Sequence, residues 1–322
     1  VGHLIDRRWM GAALALADRG VGRTAPNPNV GCVLVRDDRV VGRGWTQAGG
    51  RPHAEAMALA EAGEAARGAT AYVTLEPCAH VSQRGPACTD LLIAHRVARI
   101  VAAMGDPDPR TDGAGFARAR AAGIMVTTGV REAEARTMVA GFLTRRAKGR
   151  PFVTLKLATS LDGKIARPDG ESRWITGPEA RAHTHLERSR HEAILVGRGT
   201  LEADSPRLDV RLPGLGSHSP RRILLSRTPE AGWETIPSPA AIADLAGVDR
   251  LMVEGGAQTA SAFLAGDRVD RLLLYRAPIL IGQGRAALGD IGLTRLAEAH
   301  GRWRLADSRM LGSDRLEVYE RD

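Results

Sequence analysis

Cysteine is scarce in this chain: three residues in 322, an odd number. No apolar stretch followed by a small-residue cleavage site opens it, so a secreted disulfide framework is not expected and the chain reads as reduced and cytoplasmic. No apolar run approaches the roughly 20 residues that cross a bilayer, so no membrane partner is expected. Aromatic residues make up only 4%, which leaves few stacking platforms for bases. The net charge of +8 comes from arginines scattered along the chain and not from one basic block; this favours small phosphorylated substrates over nucleic acid. The sequence has no Gly-x-Gly-x-x-Gly fingerprint, which argues against a doubly wound dinucleotide fold, and no internal repeat.

A hydrophobic fraction of 43% and a charged fraction of 25% are those of an ordinary globular protein. The length exceeds what one hydrophobic core usually supports, so two domains are expected. Helical spacing of apolar residues over 4–20 leads into a loop, 24–29, that Pro26 and Pro28 keep out of helix. A buried strand over 30–35 turns at Asp37-Asp38 into a second strand, 40–44. Residues 54–62 read as a short alanine-rich helix closed by Gly63. Strands at 71–75, 99–104 and 124–128 alternate with helices at 89–95 and 114–122, the pattern of a layered α/β domain. One longer helix is predicted over 131–148, with basic residues at its end and Gly149 as its cap, and the domain boundary is placed at 146–150. The first domain then covers residues 1–147 and the second 150–322. The second half reads as another α/β domain: strands at 152–158, 193–197, 222–226 and 251–256, a helix at 178–190, and β-rich pieces at 272–281 and 303–319.

The chemistry concentrates first in Pro52-His53-Ala54-Glu55, Pro77-Cys78 and Cys88. One imidazole and two thiolates give a tetrahedral zinc three ligands and one open position. Both cysteines are placed near loop-to-helix junctions, where the helix N-terminal partial charge favours thiolate. Glu55, two residues from His53, points elsewhere on a helix and is expected to carry protons between water and a leaving amine instead of binding metal. The predicted reaction is hydrolytic deamination, the pattern of zinc deaminases in general. Base, nucleoside and nucleic acid all stay open as substrates on these residues alone. The competing reading makes Cys78 and Cys88 core thiols and leaves His53 and Glu55 on a solvated helix end; it requires the two motifs to coincide by chance. Cys32, inside an apolar strand, is expected to be a core thiol.

Nine residues, Ala79 to Ala87, separate the two cysteines. A loop of this length, beginning Cys-x-His and ending Pro-x-Cys, resembles the bifunctional deaminase/reductases of riboflavin biosynthesis. The resemblance extends along nearly the whole chain through Asn27-Pro28-Asn29-Val30-Gly31, residues 68–78, Asp106-Pro107-Asp108-Pro109, residues 155–166, residues 172–176 and Val253-Glu254-Gly255-Gly256. It implies a cytidine-deaminase-like α/β/α domain followed by a dihydrofolate-reductase-like α/β domain. The implied cofactors are Zn²⁺ and NADPH, the substrate is a phosphoribosylaminopyrimidine, and a homo-oligomer is expected. In the matching positions Asn27 would contact the pyrimidine, with His80 and Arg84 on substrate and phosphate. Here the loop is one residue longer than the family pattern, Thr46 stands where members often carry histidine, and the segment 212–250 is short.

For the reductase half the resemblance assigns Ala158, Trp174, Thr200, Asp204, Ser226 and the run Gly256, Ala257, Gln258, Thr259, Ala260, Ser261 and Ala262 to the cofactor. It assigns Ser172, Arg188, Leu208, Arg211 and Glu254 to the phosphoribosyl substrate. Lys156 and Asp204 are the polar pair expected to orient and protonate the sugar as hydride arrives; the blander alternative is a strand-edge charge and a cap. The Gly255-Gly256 turn before a helix suits a dinucleotide phosphate, whereas Gly197-Arg198-Gly199 alone is a weaker signal. A tRNA-type deaminase with a basic binding module and a non-catalytic zinc scaffold are the competing classes. The cysteine spacing and the block 156–166 argue against the first, and Glu55 against the second.

Overall fold

The computed structural model describes residues 2–80 and 84–321, so residues 81–83 of the loop between the cysteines lie outside the described residues. The chain divides into two units, Val1–Gly149 and Arg150–Asp322.

The first unit carries five strands, β1 (Gly31–Arg36), β2 (Arg39–Trp45), β3 (Thr70–Val73), β4 (Arg99–Ala102) and β5 (Met125–Thr127), in the sheet order β2-β1-β3-β4-β5. The first two form a hairpin and β1 runs antiparallel to β3, while β3, β4 and β5 are parallel. Asp37 and Asp38 both take left-handed conformations, φ 52° and 56°, as a tight two-residue hairpin turn requires. Helices α1 (Gly2–Ala17), α2 (Ala54–Ala62), α3 (Cys88–Ala94) and α4 (Ala114–Ala121) accompany the sheet. Cys32 is fully buried in β1, the core position expected of it.

The approach of α2 to the sheet depends on two glycines of β2. A Cβ on Gly42 or Gly44 would lie 2.1 or 2.2 Å from the carbonyl oxygens of Ala58 and Ala54, so only glycine lets the helix lie flat there. That contact fixes the N-terminus of α2, where His53 and Glu55 sit. The single helix predicted over 131–148 is instead two, α5 (Glu132–Met138) and α6 (Ala140–Lys148). The break falls at Val139, whose φ of −97° and ψ of 18° leave the helical region and turn this β-branched side chain into the core. Gly149 caps α6 at φ 66° and donates its N–H to the Arg145 carbonyl, as its position predicts.

The second unit holds an eight-stranded sheet. Its strands are β6 (Phe152–Thr159), β8 (Ala193–Gly197), β9 (Arg221–Leu225), β10 (Glu234–Ile236), β11 (Arg250–Val253), β12 (Arg271–Arg276), β14 (Arg304–Leu311) and β15 (Asp314–Glu320). The order is β10-β9-β8-β11-β6-β12-β15-β14; a separate ribbon pairs β7 (Lys164–Ala166) with β13 (Arg285–Ala286). The strands from β10 to β12 are parallel, and the β14–β15 hairpin adds antiparallel. Helices α7 (Pro178–Arg188), α8 (Arg198–Asp204) and α9 (Ala257–Ala265) complete the unit. Parallel strands leave their carboxyl ends as the natural ligand crevice.

Candidate functional site

In the first unit His53 is the extended residue that starts α2, and Cys88 is the first residue of α3. Cys78 differs from expectation: it lies in the irregular stretch after β3, not at a helix start. The α3 N-terminus still reaches it, because the Cys88 backbone N–H donates to the Cys78 sulfur at 3.3 Å. His53 Nδ1 stands 3.3 Å from Cys88 Sγ and 3.7 Å from Cys78 Sγ, and the three donor atoms all lie within 4.8 Å of one another. A tetrahedral zinc with ordinary Zn–S and Zn–N bonds needs nitrogen and sulfur about 3.5 Å apart, so this donor set fits the metal. A hydrogen bond from the Cys88 thiol, helped by His53, holds Cys78 down at about 4 against the effect of burial. The Cys78 sulfur thus faces two donors from Cys88, its thiol and its backbone N–H.

Glu55 is 3% exposed. Burial pushes its carboxyl above the usual range, with His53 opposing, which suits a group that must both take and give a proton. The carboxylate is outside the three-donor cluster, yet Glu55, His53 and Cys78 line one cavity of 220 Å³. Asn27, His80, Arg84 and Thr46 line it too. Asn27 donates to the Gly50 carbonyl at 2.9 Å and stands 2.9 Å from His53 Nε2. His80 Nδ1 lies 3.5 Å from the Thr111 hydroxyl, and Arg84 donates to the Gly49 carbonyl at 2.7 Å. Thr46 turns its hydroxyl to the Val30 N–H at 3.0 Å.

Two features of this site were not legible from the motifs. Buried Glu76 accepts the N–H groups of Asp106, Gly113 and Phe116 at 3.3, 3.0 and 3.1 Å; it ties the Pro77-Cys78 segment to the loop after β4. Asp108 pairs with Arg110 and with Arg146 of α6, and all three line the cavity. The Asp106-Pro107-Asp108-Pro109 block was the available signal, but nothing in it indicates a partner 38 residues away.

In the second unit two adjoining cavities, 800 and 730 Å³, share Lys156, Ala158, Ser172, Thr200, Asp204 and Glu254. They open where β6, β8, β9 and β11 end. The first also has Gly256, Ala257, Gln258 and Thr259, and the second has Trp174, Arg188, Leu208 and Arg211. The rest of the predicted cofactor run turns away. Ala260 is fully buried in the core, Ser261 accepts the Gly289 N–H at 2.8 Å, and Ala262 is exposed without lining either cavity. Helical periodicity explains this, since only the first turn of α9 faces the crevice. Ser226 also lines neither cavity; its hydroxyl accepts two Arg198 N–H groups at 3.2 and 3.1 Å.

Lys156 and Asp204 share the cavities without pairing. Lys156 Nζ stands 4.0 Å from Glu254, and Asp204 accepts from Arg173 at 3.2 Å. Burial holds the Lys156 ammonium below its usual range, with Glu254 raising it in opposition. Glu254 would be raised by burial, but Arg188 and Lys156 bring it below the ordinary carboxylate range.

A histidine and two cysteines gathered beside a buried glutamate, on one α/β unit, with a large polar crevice at the strand ends of a second, describe a zinc deaminase joined to a reductase. Comparison with known proteins supports both halves. The family model described as the cytidine and deoxycytidylate deaminase zinc-binding region matches residues 4–104, and that of the RibD C-terminal domain matches residues 151–316. The riboflavin biosynthesis protein RibD of Escherichia coli is 40% identical over 96% of this chain and 97% of its own. That of Aquifex aeolicus is 37% identical over 92% and 93%. The solved structure of Acinetobacter baumannii RibD superposes with a TM-score of 0.90 at 36% identity, covering 99% of both chains. A deaminase/reductase from Thermotoga maritima gives 0.89 at 31%, covering 100% of both.

The chain belongs to the RibD family, the bifunctional deaminase/reductases of riboflavin biosynthesis. Its cofactors are Zn²⁺ and NADPH. No helix among the described residues is long and apolar enough to cross a membrane.

Proposed function

We propose that residues 1–147 deaminate 2,5-diamino-6-(5-phosphoribosylamino)pyrimidin-4(3H)-one, and that residues 150–322 reduce the ribosyl group of the resulting 5-amino-6-(5-phosphoribosylamino)uracil to ribityl. The Thermotoga maritima structure bears the names of both activities. The observation that carries the reading is the single cavity holding His53, Cys78, Glu55 and Asn27.

Deamination adds water at the ring carbon that bears the amino group and releases ammonia, so a proton must travel from the water to the departing nitrogen. His53, Cys78 and Cys88 would hold Zn²⁺, which would supply the Lewis acidity that makes a water acidic near neutral pH. Glu55 carries the proton, its raised affinity matching the task. Asn27 orients the pyrimidine, and His80 and Arg84 contact the substrate and its phosphate.

In the reductase half, Gly256, Ala257, Gln258 and Thr259 offer the start of α9 to a dinucleotide phosphate. Ala158, Trp174, Thr200 and Asp204 extend that surface, while Ser172, Arg188, Leu208, Arg211 and Glu254 receive the phosphoribosyl group. NADPH bound on that surface would supply the hydride that the anomeric carbon takes up. Lys156 supplies the proton to the oxygen freed as the sugar ring opens, and its lowered proton affinity assists release. Asp204 orients the sugar.

The partners are small molecules, with neither nucleic acid nor membrane, and the setting is cytoplasmic. A homo-oligomer fits the edge strand β14, where Leu305 and Met310 are exposed; size-exclusion chromatography with light scattering tests it, and a monomer at working concentration would overturn it. The catalytic reading is tested by incubating zinc-loaded protein with the diaminopyrimidinone substrate and measuring ammonia. Release that depends on zinc and on Glu55 supports it, and none from intact holoenzyme would sink it.

A further inference from the structure

Asp108 is the hub of a three-residue cluster at the deaminase cavity. Arg110 places Nε and Nη2 on its two carboxylate oxygens at 3.0 and 2.6 Å, and Arg146 places Nη2 on Oδ2 at 2.7 Å. The Asp108 side chain is 5% exposed, while those of Arg110 and Arg146 are 59% and 42% exposed. The carboxylate therefore sits beneath and the guanidinium groups face the opening. Arg146 also packs over the Phe142 ring, 5.4 Å to its centroid, which restricts its rotamers from the helix side.

The pairing leaves donors unused. Nη1 of Arg110, together with Nη1 and Nε of Arg146, has no other hydrogen-bond partner among the described residues. Two cations share the Asp108 carboxylate, and neighbouring Asp106 is pushed up to about 6 by burial; the planar N–H groups held in place match phosphate oxygens. Glu76, another acid at this cavity, already accepts three backbone N–H groups. The pair of arginines holds the Asp108 carboxyl far below the usual range, its hydrogen bonds from Arg110 leading, so the cluster stays charged at working pH.

We propose that Arg110 and Arg146, bridged by Asp108, form the subsite that takes the phosphate monoester of the deaminase substrate. This rests on the deaminase reading and names how that site selects a phosphorylated substrate. Arg84 lines the same cavity and donates one N–H to the Gly49 carbonyl, so it adds its charge to the approach of the phosphate while the cluster supplies the fixed, planar donors. The cluster lies outside residues 4–104, which match the general deaminase zinc-binding region, and before residue 151, where the reductase match begins. The zinc site would thus supply the chemistry, and the segments at 106–110 and 142–146 the preference for a phosphorylated sugar.

The test compares the phosphorylated substrate with its dephosphorylated riboside in an ammonia-release assay on zinc-loaded full-length protein. Wild type should favour the phosphorylated form. Arg146→Met should raise its KM about ten- to a hundredfold, the range of one or two charge-assisted hydrogen bonds, with kcat changed little. The preference between the two substrates should collapse accordingly, Arg146→Lys should restore part of it, and Arg110→Met combined with Arg146→Met should go further. Isothermal titration with ribose 5-phosphate supplies a readout independent of turnover, and binding should weaken in the same variants. Equal preference in wild type and Arg146→Met, or no preference in wild type, overturns the proposal while leaving the deaminase reading intact. No ammonia from either substrate with wild type would instead strike at the deaminase reading. A folded variant that loses activity on both substrates in equal proportion keeps the wild-type preference, and that outcome counts against the proposal.

Discussion

Arg188 holds Glu254 by a two-point grip, Nε to Oε1 at 2.7 Å and Nη2 to Oε2 at 2.9 Å. The same carboxylate is the nearest counter-charge to Lys156, at 4.0 Å. A single acid at the end of β11 thus balances two partly buried cations, so its removal affects both at once.

Glu254→Gln leaves Arg188 and Lys156 without their anion, and breaking such a buried pair typically costs about 3–5 kcal/mol. Because Glu254 raises the proton affinity of Lys156, the variant should shift the alkaline limb of the pH–rate profile for NADPH oxidation to lower pH. Its kcat/KM should fall by at least about tenfold. An unshifted alkaline limb would remove Lys156 as the proton donor.

Glu55→Gln should keep about one zinc per chain, since the three ligands are untouched. Ammonia release should drop about 10²–10⁴-fold, the usual contribution of a positioned proton carrier. Metal analysis beside the activity assay decides the matter, and loss of zinc in this variant would make Glu55 a ligand.

His191 is buried with Nδ1 2.7 Å from the Glu187 carbonyl and Nε2 2.9 Å from the Thr154 hydroxyl. The carbonyl can only accept, so Nδ1 carries the proton and Nε2 accepts from Thr154. Burial pushes its proton affinity down from 6.5 to about 4, with Glu187 opposing. Between those values the unfolded chain binds the proton and the folded chain does not, so stability rises with pH across this window and is lost as pH falls through it. The second unit should lose up to about 3 kcal/mol on acidification from this group alone. Thermal melts of wild type and His191→Gln from pH 7 to 4 check it, and equal acid sensitivity in the two would contradict it.

The clustering of His53, Cys78 and Cys88 was legible because zinc chemistry requires those residue types in short motifs, and motifs survive as sequence. The same holds for Cys32, whose apolar neighbours announce a buried strand. What stayed hidden depends on tertiary approach. The break at Val139 sits inside an uninterrupted helical pattern, and only the pull of the core on that side chain ends the helix. The Asp108–Arg146 pair joins positions 38 apart, and no periodicity encodes such a contact. Lys156 met Glu254 and not Asp204 because parallel β6 and β11 are neighbours, a register settled by sheet order. Of the run 256–262 only 256–259 line the crevice, because a helix offers one turn, not a whole segment, to it.

Zinc removal should separate the two activities. A chelator should abolish ammonia release while the protein still alters NADPH fluorescence, because no metal ligand is needed in the reductase crevice. Simultaneous loss of both signals would mean that the zinc site supports the fold of the second unit.

The most direct measurement supplies the diaminopyrimidinone phosphoribosyl substrate to zinc-loaded protein and follows ammonia and NADPH together. Ammonia should appear with or without NADPH, NADPH should be oxidised only once deaminated product has formed, and the two totals should reach one to one. Lys156→Ala should leave ammonia release in place and stop NADPH oxidation. NADPH oxidation without ammonia, or neither product from intact holoenzyme, would contradict a deaminase and a reductase acting in that order on one chain.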